Sequence, residues 1–289
     1  MINLILNYID RNNTAFNAIH LATQVIIYAI KGRFSFRSVL ASGWKKTSDT
    51  LVVIAAGPSV NELSAAEWNA VSQFDTLGLS YGSLTPVQVD AFVCEFAPPS
   101  IQPNQIAMFR ALSERYAQSP RKPLCIWKHP ERVTNTEHLS LPVSRVLTLV
   151  IPALSLSTLS KVTDLITRLK LQRWFIFQSA GSISALVMFA RAFNYTRVIF
   201  IGLDVTDRRY FFEDNPDYAH IGLENPFKLD GQPDVGKTHQ VASSFGDIED
   251  FTKRLEIAGG PTMNFFVSSK SSALSRYWPV HLFDTSTAD

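Results

Sequence analysis

The chain is poor in cysteine, with two in 289 residues, Cys94 and Cys125. Neither has a second ligand at metal-binding spacing, so nothing supports a disulfide framework or a zinc site. The pair reads as buried free thiols in a reducing compartment. Excess charge is also lacking. Against 27 basic residues stand 25 acidic ones, and a net charge of +2 is too weak to argue for nucleic acid. No secretory leader is expected, because Arg11 follows the opening apolar residues and no small-residue cleavage site stands out. A spanning helix is not expected either: Thr14–Ile30 is broken by Asn17, His20 and Gln24, and falls short of the roughly 20 apolar residues a bilayer requires. No DxD lies near a strand end, and no HxxxH or CxxC spacing occurs, so no metal is expected. What remains, 46% hydrophobic and 18% charged, is an ordinary globular composition.

The stretch that organises the rest is Trp174–Tyr210, WFIFQSAGSISALVMFARAFNYTRVIFIGLDVTDRRY. Trp174–Phe177 and Val198–Ile201 read as two strands, and Leu186, Phe189, Ala190 and Phe193 recur between them at helical spacing. Parallel strands joined by a helix bind ligands where the strands end. Small or acidic residues stand there: Ser179, Gly181 and Ser182 after the first, Gly202 and Asp204 after the second.

Upstream, a helix over Thr14–Ile30 is followed by Lys31, Arg33, Arg37, Lys45 and Lys46 with Phe34, Phe36 and Trp44 among them. Residues 1–48 thus suit either an anionic membrane surface or packing on the domain or another subunit. Leu51–Ala55 is a strand buried on both faces. It runs into Ala56-Gly57-Pro58-Ser59, and Val60–Leu63 then starts a helix; Gly57 allows a tight turn, and Ser59 is a cap whose neighbouring N–H groups could meet a phosphate. Pro58 departs from a glycine-rich phosphate loop, which disfavours an ordinary nucleoside-triphosphate hydrolase. Strands are expected at Thr76–Ser80, Ala91–Cys94, Leu124–Trp127 and Met263–Val267. Helices are expected at Asn104–Tyr116, from about Leu156 to Leu171, and from Asp247 to about Ala258. Leu141–Pro152 reads as a proline-bearing loop, and 206–238 as a polar, lid-like loop at the crevice. The alternation defines one α/β domain over 49–289 with a mostly parallel sheet.

Three stretches in this order, LVVIAAGPSVNEL, SAGSISALVMFARAFNYTRVIFIGLDVTDRRYFFED and SSKSSALSRYWP, resemble the bacterial sialyltransferases of glycosyltransferase family 42 and related transferases of CMP-activated 2-keto sugar acids. The resemblance spans about residues 50 to 280. It implies a Rossmann-like, GT-A-like domain whose donor is a CMP-sugar and whose acceptor is a glycan or glycolipid, with no cofactor. Gly57, Pro58 and Ser59 then match the nucleotide-binding first loop. Ser179, Gly181 and Ser182 match the donor-contacting turn, Gly202 and Asp204 lie near the cytidine, and Ser271 and Ser272 match the last serine cluster. Tyr210 resembles the tyrosine that bonds the departing phosphate, and His239 the catalytic base. Four donor-contacting positions depart from the family: Ala56, Ser80 and Glu95 replace asparagines, and Thr206 replaces a second phosphate-binding tyrosine. Sialic acid, Kdo and legionaminic acid all remain open as the sugar.

The chemistry is coherent at the residue level. An imidazole titrating near pH 6.5 suits proton abstraction from a hydroxyl, so His239 serves, with His220 as the competing base and His129 a weaker one. Tyr210 and Thr206 can donate to a phosphate gaining charge, as can Arg208 and Arg209. Two rival readings stand. One is a pterin diphosphokinase-like enzyme using ATP and magnesium, with Asp204 and Asp207 as ligands; the other is a catalytically degenerate scaffold. The transferase reading places the chain in the cytoplasm or peripherally at the inner face of the cell membrane, working on lipooligosaccharide or capsule. It leaves homo-oligomerisation open and involves no nucleic acid.

Overall fold

A computed structural model describes residues 44–95, 102–128, 143–149, 151, 156–168, 176–207, 209–225 and 247–286. Seven strands form one sheet: β1 (Thr50–Ile54), β2 (Asp75–Leu79), β3 (Ala91–Glu95), β4 (Leu124–Lys128), β5 (Arg145–Leu149), β6 (Arg197–Ile201) and β7 (Asn264–Val267). Their order is β5-β4-β3-β2-β1-β6-β7, and every pairing is parallel. The α-helices among the described residues are α1 (Ala65–Val71), α2 (Gln102–Tyr116), α3 (Leu156–Arg168), α4 (Gly181–Ala192) and α5 (Ile248–Gly259).

Parallel strands need both faces covered, which explains the unbroken apolar runs at β1 and β6. Along β1, Leu51 and Val53 face the core under α3, α4 and α5, while Val52 and Ile54 face the core under α1 and α2. The chain leaves β1 on one side for β2 to β5, then crosses to β6 on the other. The carboxyl ends of β1 and β6 therefore form the switch point where doubly wound sheets open a crevice.

Two expectations are corrected. Leu141–Pro152 is not all loop, because Arg145–Leu149 pairs along β4 as the edge strand; its prolines flank the strand instead of interrupting it. The expected strand Trp174–Phe177 is no partner of β6, which pairs with β1 and β7. Of that run, Ile176 and Phe177 are described and lie outside the strands. The Phe177 N–H is spent on the Met188 sulfur at 3.3 Å, and the N–H groups of Ser179 and Ala180 on Ser184 Oγ at 2.8 and 3.0 Å. Amides bonded to α4 cannot extend a sheet ladder. The helix over Thr14–Ile30 and the basic run to Arg37 lie outside the described residues.

Where the described chain begins it is fastened to the amino-terminal end of the sheet. The buried Asp75 carboxylate accepts from the backbone N–H groups of Thr47 and Ser48 and from the Tyr195 hydroxyl at 2.7 Å. Trp44 donates to that same hydroxyl at 3.1 Å and packs edge-on against Phe189. Residues 44–48 are thus part of the domain, at the end opposite the crevice.

Candidate functional site

The crevice is built from loops that leave β1, β2, β6 and β7. After β1 the chain makes a 3-10 helix, Pro58–Glu62, with Gly57 at its N-cap. The Gly57 N–H donates to the Gly202 carbonyl at 2.8 Å, and the Ser59 N–H donates to Asp204 Oδ2 at 2.8 Å. This corrects two expectations. Ser59 is not the cap, and its amide does not await a phosphate, because the Asp204 carboxylate occupies it. The glycine follows from the same geometry: a Cβ on Gly57 would stand 2.4 Å from Asp204 Oδ2 and 2.7 Å from the Gly202 carbonyl oxygen. Gly202 holds a positive φ of 68°, and its own Cβ would meet the Ala55 carbonyl at 2.8 Å. Burial pushes the Asp204 carboxyl above its usual range. The bonds from Ser59 pull the other way, while Glu62 and Asp207 add to the rise.

Glu62, at the end of the same 3-10 helix, gathers the last serine cluster, with its carboxylate accepting from the hydroxyls of Ser269 and Ser271. Ser272, by contrast, is structural: it caps the 3-10 helix Ala273–Arg276 and donates to the Leu203 carbonyl at 3.1 Å. The Glu62 hub was not foreseen. Its only sequence signal was a place within GPSVNEL, because its partners lie more than 200 residues away.

Ser80 follows β2 with φ 48°, a left-handed conformation that costs a side-chain-bearing residue about 1–2 kcal/mol. The turn that demands it, Ser80–Leu84, presses Gly82 so close to β1 that a Cβ there would stand 2.2 Å from the Ile54 carbonyl oxygen. Ser80→Gly is accordingly expected to stabilise the fold by about 0.5 kcal/mol, after the flexibility cost of glycine is deducted. Chemical denaturation reads this directly, and a lowered midpoint would refute the strain.

Tyr210 lies beside Tyr81, ring centroids 5.4 Å apart, and stacks on Phe212 at 5.1 Å. The next residue, Phe211, donates its N–H to the Ala56 carbonyl at 3.0 Å, which pins this loop to the end of β1. Burial, with Tyr81 and Glu213 adding to it, raises the Tyr210 phenol above its usual range, so it stays protonated at neutral pH. Tyr81 is likewise pushed up to about 12 by burial. Both are donors. The described part of the lid-like stretch is well packed, with Phe211, Phe212 and Tyr218 buried, Asn61 donating to the Phe211 carbonyl at 2.8 Å and Asn104 donating to the Glu224 carbonyl at 2.6 Å.

At the start of α4, Gly181 takes φ 61°. Ser182 Oγ accepts from the buried Lys128 ammonium at 2.8 Å, and Ser179 Oγ accepts from Arg254 Nη1 at 2.8 Å. Two cations thus sit beside the small-residue turn, and neither was singled out from the sequence. Glu95 ends β3, and Thr206 is exposed beyond β6. Asp207 is held below the usual range by Arg209, which bonds both its oxygens. Asp204 and Asp207 therefore each face a protein donor. Among the described residues, no three His, Cys, Asp or Glu side chains come together as a metal site, and no helix is long and apolar enough to cross a membrane. His239, His129 and Arg208 lie outside the described residues. So does Gly231–Thr238, GQPDVGKT, which has the spacing of a phosphate-binding GxxxxGK[ST] loop. No described strand leads directly into that run, as the motif requires, since β6 ends at Ile201.

A parallel, doubly wound sheet with its loops converging at the β1/β6 switch point defines a Rossmann-like α/β fold. Among solved structures the chain is similar to the α-2,3-sialyltransferase Cst-I from Campylobacter jejuni, at 13% identity and TM-score 0.43, covering 82% of each chain. It is similar to the C. jejuni sialyltransferase CstII in complex with CMP-3FNeuAc, at 13% identity and TM-score 0.41, covering 81% of this chain and 86% of that one. It is similar too to the MAf glycosyltransferase from Magnetospirillum magneticum AMB-1, at 15% identity and TM-score 0.43, covering 78% of this chain and 32% of that one. No protein-family model and no curated protein sequence matches the chain.

Proposed function

We propose that the protein is a glycosyltransferase that moves a sialic-acid-like or Kdo-like 2-keto sugar acid from its CMP-activated donor to a hydroxyl of a surface glycan. The observation that carries this reading is the convergence of its three resemblance-bearing stretches. Ser59 meets Asp204 across 145 residues, and Glu62 meets Ser269 and Ser271 across 207 and 209. Motifs that met nowhere in space would have argued against a shared pocket.

The charges divide in the way such a donor requires. Asp204 and Glu62 gather at the β1/β6/β7 end, where hydrogen-bond acceptors suit the hydroxyls and amine of a nucleoside. Lys128 and Arg254 lie beside Ser182 and Ser179, where a sugar carboxylate and a phosphate would find positive charge. In the reaction the bond between the sugar C2 and the phosphate oxygen breaks and CMP departs. The acceptor hydroxyl forms the new C2–O bond and loses its proton to the His239 imidazole. Tyr210, a neutral phenol, donates to the phosphate oxygen as charge builds there. Transfer is metal-independent in this scheme, and residues 1–43, which precede the stretch from Trp44 that packs on the domain, hold the enzyme at the inner membrane face.

The ATP-dependent reading keeps one observation in its favour, the GQPDVGKT run. Nucleotide preference separates the two. CMP without metal should raise the melting temperature, and His239→Ala should keep that shift while losing transfer from a panel of CMP-activated 2-keto acids. Tyr210→Phe should lower transfer about tenfold or more with stability changed by less than about 0.5 kcal/mol, because no described group bonds its hydroxyl. Stabilisation by ATP with magnesium and none by CMP would overturn the transferase reading.

A further inference from the structure

A groove of about 610 Å³ runs along α1, outside the cluster just described. Its floor is apolar, with Trp68 and Tyr218 almost wholly buried. Four carboxamides stand on its walls, Asn61, Asn69, Gln88 and Asn215, and three of these are held in place by protein hydrogen bonds. Asn61 donates to the Phe211 carbonyl at 2.8 Å, and Asn215 donates to Asn61 Oδ1 at 3.0 Å. Gln88 Oε1 accepts from the Ser119 hydroxyl at 3.1 Å. A carboxamide nitrogen carries two hydrogens. Among the described residues Asn61 and Asn215 each use one such hydrogen and Gln88 uses none.

The charge on the lining points to the class of ligand. Arg121 is ion-paired with Asp90 just outside the groove, and Asp217 is the one carboxylate on its wall. A phosphate would find no unopposed cation there. Fixed amide donors and acceptors over an apolar floor suit paired hydroxyls on a puckered ring, and the volume is that of a small-molecule site.

We propose that this groove binds a neutral saccharide. It rests on the transferase reading for its meaning, as an acceptor subsite. The 3-10 helix Pro58–Glu62 joins the two places, since Val60 and Asn61 line the groove while Ser59 meets Asp204 and Glu62 meets Ser269 and Ser271.

The test uses the full chain without nucleotide and three neutral probes, lactose, maltotriose and chitotriose, followed by saturation-transfer NMR. At least one should receive saturation. Asn69→Trp fills the groove from an exposed position on α1, and Gln88→Ala removes one oriented amide; each should weaken that probe about tenfold or more. The melting shift with CMP should stay at the parent value in both variants. No saturation transfer to any probe, or binding undiminished in both variants, would overturn the proposal. Loss of the CMP response with saccharide binding intact would instead count against the transferase reading and leave the groove standing.

Discussion

Gly57→Ala is expected to cost about 3 kcal/mol of stability and to abolish CMP binding. A methyl group there would stand 2.4 Å from Asp204 Oδ2, 2.7 Å from the Gly202 carbonyl oxygen and 2.8 Å from Asp204 Cβ. Moving one long side chain would not relieve this, because one of the three atoms is backbone and the others belong to a short side chain fixed by Ser59. Overpacking of this kind costs roughly 1–3 kcal/mol. Separating the loops also breaks the bonds from Gly57 N–H to Gly202 and from Ser59 N–H to Asp204, at about 1 kcal/mol each. Gly222→Ala is the control: its φ is 70°, yet nothing lies within 4 Å of the added methyl, so only the conformational cost of about 1–2 kcal/mol applies. Urea denaturation compares them. If Gly57→Ala proved no worse than Gly222→Ala, the close approach of the two loops would be wrong.

The contrast between Gly57 and Asp204 shows how far the sequence could be read. LVVIA and RVIFI announced buried parallel strands because both faces of those strands are covered, and the helix from Asp247 announced itself through its cap and apolar spacing. The helix expected to start at Val60–Leu63 begins as a 3-10 turn and becomes α-helical only at Ala65, where Ser64 and Glu67 form a capping box, a local signal that could have placed the start. WFIF misled because an apolar run states burial and not pairing; the Phe177 amide goes to Met188 in α4, and the Ser179 amide just beyond the run goes to Ser184 in the same helix. At the site, residue types were legible and their duties were not. A glycine, a serine and an aspartate at loop ends suggest a ligand, but only the folded chain shows that they first satisfy one another. Lys128 stayed hidden for a related reason. It closes a strand with no motif around it, and Ser182 becomes its neighbour through packing between β4 and α4.

Asp204 gives the second large effect, and two substitutions divide it. Asp204→Ala leaves the Ser59 N–H without its acceptor in a part-buried place, at a cost of about 2 kcal/mol. Asp204→Asn keeps an acceptor oxygen for that N–H and removes a charge that burial and Glu62 both disfavour, so at pH 7 it should match or exceed the parent. The pH dependence fixes the sign. A carboxyl whose folded pKa is raised binds its proton more tightly folded than unfolded. Its contribution is therefore fully present below the unfolded value of about 3.9 and is lost as pH rises through the folded value. Asp207, held low by Arg209, acts in the opposite direction in parent and variant alike and cancels in their difference. Lowering the pH from 7 toward 4 should hence improve the parent relative to Asp204→Asn. Denaturation midpoints at several pH values measure that difference. A parent that falls behind the asparagine variant on acidification would mean that Asp204 is held ionised by its neighbours, and that the β1/β6 end of the pocket carries a full negative charge at all working pH values.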